Sequence, residues 1–211
     1  MTISHPLTRL QKFRLLSLIP IYFMIVGLFL QPVTEIIPGL ITIIKEPDFL
    51  ITDYFLIGGI GTSFINAGLL TLLCIWTIYF LGMEMDGHTI TSSCLMFGFS
   101  LFGKNLLNIW AILLGVYLYS HYHKKHMSSY IYIGFYGTSL SPIITQIMYI
   151  SDLPYAVRLI ASLAVGLIIG FVLPPLSTHV HYAHKGYSLY NVGFSSGILS
   201  LIHISEPTRL A

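Results

Sequence analysis

Six polar side chains, Asn66, Lys104, Asn105, Asn108, Gln146 and Asn191, interrupt otherwise apolar runs. A polar group carried into a bilayer loses its water and must find a partner, so such residues concentrate in solute pathways and in contacts between helices. Lys104 supplies a positive charge suited to an anion or a carboxylate, and Asn105 and Asn108 supply neutral hydrogen-bonding groups beside it. Catalysis has no comparable footing. No Ser-His-Asp order, paired intramembrane carboxylates, phosphate-binding glycine loop or His-Glu-x-x-His occurs, so the expectation is a protein that is not an enzyme and carries no cofactor. His121, His123 and His126 form one histidine group and His179, His181 and His184 another. Neither has cysteine or carboxylate at ligand spacing, and both read as interfacial loops rather than metal sites.

The elements that must position these residues are membrane helices. Of the 211 residues, 55% are hydrophobic and 9% charged, with mean hydropathy +0.81, whereas soluble domains carry about 25% charge. The net charge of +2 is too small to argue for nucleic acid, and the basic residues sit beside apolar runs, as topology determinants do. Cys74 and Cys94 both lie in apolar stretches and suggest neither a disulfide framework nor a redox motif. The run after His5, Arg9, Lys12 and Arg14 is long for a signal peptide and lacks a small-x-small cleavage pattern, so it is expected to be a retained first helix with its N-terminus inside.

The pattern predicts an all-α polytopic membrane protein of about six elements: Leu10 to Leu30, Tyr54 to Leu81, Thr89 to Phe102, Leu106 to Ser120, Ser129 to Ile150 and Tyr155 to Leu173, with a seventh beginning near Leu189. Residues 32–53 read as an outer loop whose stretch Ile36 to Ile44 dips into the interface. The third and fourth elements fall short of the 17 to 25 residues or so that a crossing needs, and 89–120 is expected to be either a re-entrant hairpin or two short spans. As a hairpin it carries Lys104 deep into the membrane; as two spans it lets Lys104 snorkel at the outer interface. Gly134, Thr138, Ser141, Pro142, Thr145 and Gln146 imply a kink in the fifth element. Arg158 is expected to snorkel at the outer end of the sixth.

An internal repeat suggests how these elements are organised. GTSFINAGL, from Gly61, aligns with GYSLYNVGF, from Gly186, matching Gly61, Ser63, Asn66 and Gly68 with Gly186, Ser188, Asn191 and Gly193 at a constant offset of 125 positions. An odd number of predicted crossings separates the copies, which is the condition for inverted-topology repeats, an architecture of transporters and some channels. Each copy could mark a break in a helix, with glycine tolerating unwound backbone and the asparagine amide satisfying freed peptide groups. Equally, the small residues could serve close helix packing and Asn66 an interhelical hydrogen bond.

The blocks GIGTSFINAGLL, GFSLFGKNLLNIWAILLGVYLYS, GFYGTSLSPIITQI and GYSLYNVGFSSG together resemble a bacterial family of multi-pass membrane proteins known as a domain of unknown function, number fifteen seventy-six. The likeness runs from about Asp53 to Gly197; it implies a membrane fold and a bacterial cytoplasmic membrane, and supplies no substrate. Members look about twice as long as this chain. From Leu199 the sequence LSLIHISEPTR resembles the translation of a transposon-end sequencing adaptor, so 199–211 is expected to be a non-native tail on a fragment truncated in its second repeat. The organisation expected is 1–52 as first helix and outer loop, 53–176 as first repeat and 177–198 as the start of the second. The function expected is a transporter or channel for a small solute or ion in the lipid bilayer, with a pathway lined by Gly61, Ser63, Asn66, Lys104, Asn105, Asn108, Gln146, Ser188 and Asn191. A membrane sensor or assembly protein that transports nothing is the alternative.

Overall fold

A computed structural model describes residues 7–47, 52–150, 152–183, 193 and 195–197. Nine helices form among the described residues: α1 (Arg9–Leu30), α2 (Val33–Lys45), α3 (Tyr54–Gly58), α4 (Ile60–Phe80), α5 (Gly87–Phe99), α6 (Trp110–Tyr122), α7 (Ile131–Gly137), α8 (Ser141–Ile150) and α9 (Tyr155–Ala183). Short 3₁₀ turns at Met127–Ser129 and Thr138–Leu140 precede α7 and α8. No strand forms among the described residues.

Among the described residues, three helices are long and apolar enough to cross a membrane: α1, α4, and α9 over Tyr155–Thr178. The expectation of six elements is therefore corrected. The run Tyr54 to Leu81 is divided at Gly59, whose φ of 89° only glycine adopts without strain. The fifth run is divided into α7, a 3₁₀ turn and α8. Within 32–53, the chain forms α2 rather than a plain loop. It buries Ile36 and Ile43, exposes Val33, Ile37 and Ile41, and places Glu35 in its first turn and Lys45 in its last, as the helix dipole favours.

The third and fourth elements are helices of 13 residues each, about 20 Å long, against about 30 Å of hydrocarbon. Their outer ends meet the same short segment. The Thr89 hydroxyl at the start of α5 lies 2.7 Å from the Tyr132 hydroxyl, and the Tyr119 ring near the end of α6 stacks edge-on against Tyr130 at 5.3 Å. The pair is thus a hairpin that returns to the end of the molecule from which it started. Arg9 fixes that end further, because its guanidinium reaches from α1 to the carbonyls of Tyr79 and Met83, where α4 finishes.

Packing is organised by two crossings, α1 against α4 and α6 against α9. One core cluster gathers Phe13, Leu70, Ile75, Met96 and Phe135 from α1, α4, α5 and α7. The other gathers Ile112, Leu140, Ile144, Ile169 and Leu173 from α6 to α9. Outward faces are also apolar: Phe29 is 86% exposed and Leu56 85%. An aqueous surface would not tolerate so broad an apolar cover, whereas hydrocarbon does.

Candidate functional site

The inner end of the hairpin, residues 100–109, is turn and irregular backbone placed among helices, so its peptide groups need partners that no helix supplies. Asn66 provides two. From α4 its side-chain amide donates to the carbonyls of Ser100 and Lys104, both at 2.8 Å, using both amide hydrogens. Gly103, at φ 91°, makes the reversal in between.

Asn105 and Asn108 organise the second half of the tip. The Asn105 side-chain oxygen accepts from the backbone N–H of Leu107 (2.9 Å) and Asn108 (3.0 Å), and the Asn108 oxygen accepts from the Asn105 N–H (3.0 Å). This is the local turn chemistry for which asparagine is suited. The Asn108 amide then donates to the Gly103 carbonyl at 2.8 Å and to the Thr145 hydroxyl at 2.9 Å, tying the tip to α8. The indole N–H of Trp110 donates to the Leu106 carbonyl at 2.6 Å and closes the way into α6.

Lys104 lies at the centre of this arrangement and is 1% exposed. Its Nζ is 3.5 Å from the Phe135 carbonyl, 3.8 Å from the Met96 sulfur and 5.1 Å from the centre of the Phe99 ring. Among the described residues it is the one buried Asp, Glu, Lys or Arg side chain, so no buried carboxylate balances it. Two groups near the tip lack hydrogen-bond partners among the described residues: the amide nitrogen of Asn105 and the hydroxyl of Ser141, one turn before Thr145 on α8.

The structure sorts the residues singled out from the sequence. Asn66, Lys104, Asn105 and Asn108 come together at the tip. Gln146 is half-buried beside Thr145, and it is Thr145 that touches the tip. Gly61 and Ser63 serve the break between α3 and α4. A Cβ on Gly61 would collide with the Gly27 carbonyl and Gln31, and the Ser63 hydroxyl donates to the Gly59 carbonyl at 2.9 Å. The start of α4 is not left open. Gln31 fills it, accepting from the Thr62 N–H at 2.9 Å and donating to the Gly58 carbonyl at 3.1 Å. The sequence reading passed over Gln31, although a glutamine directly after the apolar run of α1 was a usable signal. Ser188, Asn191 and the tail 199–211 lie outside the described residues, as does the seventh element apart from positions 193 and 195–197.

At the opposite end of the hairpin, Asp86 caps α5, its carboxylate accepting from the Thr89 N–H at 2.9 Å and from the Tyr132 hydroxyl at 3.1 Å. Burial acts against the charge there, but the hydrogen bonds from Thr89 and Tyr132 outweigh it and hold the carboxyl below its usual range. The histidines of the 121–126 loop are occupied locally: the His123 ring packs on Tyr119 at 4.2 Å and His126 Nδ1 lies 2.8 Å from the Ser128 hydroxyl. Among the described residues no three His, Cys, Asp or Glu side chains converge as metal ligands.

Against known proteins, neither the curated proteins nor the solved structures contain a match to this chain. A protein-family model does match, from Pro32 at the foot of α2 to residue 206, a wider span than the blocks quoted above. The chain therefore belongs to the family described as protein of unknown function, DUF1576.

Proposed function

We propose that this protein is a membrane transporter or channel for a small solute, with the tip of the α5–α6 hairpin as the place where solute meets protein. One observation carries the reading: two helices too short to cross a bilayer deliver irregular backbone and a fully buried lysine side chain to the level of Phe135 and Thr145. Irregular backbone at membrane depth is tolerated where it is enclosed by protein or lines a water-filled cavity, and an ionisable group there is rarely neutral to function. The orientation that goes with this reading has the N-terminus and the hairpin feet in the cytoplasm of a bacterial cell. Arg9, Lys12, Arg14, Lys124 and Lys125 at that end support it through the positive-inside rule. In its fuller form the reading includes inverted repeats, with GYSLYNVGF as the second copy of GTSFINAGL.

Ser141 offers the gentlest test, since its hydroxyl is buried and has no hydrogen-bond partner among the described residues. In liposomes containing the Ser141→Cys chain with Cys74→Ala and Cys94→Ala, small charged thiosulfonates should modify Cys at 141, and larger ones should not. Complete protection from reagents of every size, applied from both sides, would remove the pathway. The alternative, a sensor or assembly protein that transports nothing, is favoured by one detail: both amide hydrogens of Asn66 are consumed in holding the hairpin.

A further inference from the structure

We infer that the hairpin tip binds a small monovalent anion, with Lys104 Nζ as its charge partner and the Asn105 amide nitrogen as a second donor; this rests on the pathway reading and names the class of solute.

The argument begins with what the protein leaves unmade. A lysine ammonium has three N–H donors. Around Lys104 the described residues offer one carbonyl at the long limit of hydrogen bonding, a thioether, the face of an aromatic ring and the nearby Cys74 thiol. Burying a charge on such terms is costly unless a counter-ion and further acceptors are supplied. No carboxylate does so among the described residues. Asn105 presents the complementary case in the next residue. Its oxygen and backbone N–H are committed to the turn with Asn108, while its amide nitrogen, equally buried, donates to nothing. Two consecutive residues thus bring donors that the fold does not use.

The surroundings restrict the anion. With one buried positive charge, a monoanion is neutralised, whereas sulfate or hydrogen phosphate would keep charge in a low-dielectric site. Met96, Phe99 and Phe135 form an apolar wall around the ammonium and do not replace the strong hydration of a multiply charged oxyanion. Formate, acetate, nitrate and thiocyanate meet both conditions, being singly charged and modest in hydration or carrying an apolar end.

The test uses the chain in detergent at constant ionic strength, with thermal unfolding followed against low-millimolar formate, acetate, nitrate, thiocyanate or sulfate. Saturable stabilisation by the monoanions, with sulfate inert, is the expected result. Lys104→Gln should raise the half-saturating concentration about tenfold to a hundredfold, the loss of a charge-assisted hydrogen bond, and Lys104→Arg should restore part of it. Equal responses to sulfate and the monoanions, or equal responses of wild type and Lys104→Gln, would overturn the inference. If Lys104→Gln does not fold, the anion series on the wild type and Lys104→Arg decides alone, a non-saturating response counting against. The two readings fail separately. Modification at position 141 with no anion response retains the pathway and rejects the anion, whereas anion binding with position 141 fully protected makes the anion a structural one.

Discussion

Two glycine-lined crossings hold the molecule together, and they are built differently. Where α6 crosses α9, Gly115 and Gly170 face each other, a Cβ on either coming within 2.9 Å of the other's Cα, and Gly166 receives Ala111 and Ile144. The contact of Gly115 with Gly170 is backbone against backbone. Where α1 crosses α4, Gly27 meets Gly61 in the same manner, but one turn away Gln31 enters the Gly59 break, and Gly68 receives only the side chain of Met24 and the Pro20 carbonyl. Glycine does the same service in both, allowing helices to approach without a hydrophobic driving force between them. The polar work is confined to the first crossing, from which Asn66 reaches the hairpin. At these crossings glycine therefore marks contact, and function is to be sought in the amides and the lysine of the hairpin tip.

Mutations should separate the two crossings by size of effect. Gly170→Val is expected to be the most severe, destabilising by about 3 kcal/mol in chemical unfolding in detergent, because the Ile112 carbonyl beneath it cannot move aside. Gly68→Ala should cost only about 1 kcal/mol, since Met24 can change rotamer. Equal costs at the two sites would erase the contrast. Next, Asn66→Ala leaves the Ser100 and Lys104 carbonyls without donors and should destabilise by about 2 to 3 kcal/mol, with the hairpin tip becoming accessible to proteolysis or hydrogen exchange. Gln31→Ala removes the cap of the Gly59 break at a part-buried position, and a loss of about 1 kcal/mol is expected, with exchange rising at the Thr62 N–H.

The smallest effect should come from Asp86. Its carboxyl is held below the usual range in the folded protein, so the stabilisation is complete above the ordinary carboxylate range and is lost as pH falls through the lowered value. Asp86→Asn should therefore flatten the acid limb of a melting-temperature profile, lowering the melting temperature slightly at neutral pH and matching wild type at the acid end. An acid limb identical to wild type would show that the link from α5 to Tyr132 carries no charge-dependent stability.

Much of the helical character and the shortness of α5 and α6 could be read directly from the chain. Apolar runs of given length form helices in a bilayer because every peptide group there must be satisfied internally, and length alone tells which ones cross. That Asn105 and Asn108 fall directly beside Lys104 was likewise legible, being local in sequence. Three features were not. The break at Gly59 is one of several glycines in a row of apolar residues, and which one adopts positive φ depends on Gln31 arriving from 28 positions earlier to cap it. The role of Asn66 depends on two carbonyls 34 and 38 residues away. The choice of Thr145 over Gln146 depends on which face α8 turns towards the tip after its 3₁₀ start.

Composition and spacing by themselves determined an all-helical chain of apolar, membrane-type segments with two short elements and a lysine between them. Hydrophobic length and polar position along a chain suffice for that. Only the tertiary structure decided that the lysine is buried without a carboxylate, that the asparagines hold the turn rather than stand open, and that the first helix break is sealed by a glutamine. Those outcomes depend on which acceptors distant segments bring to each donor, and sequence distance does not measure that.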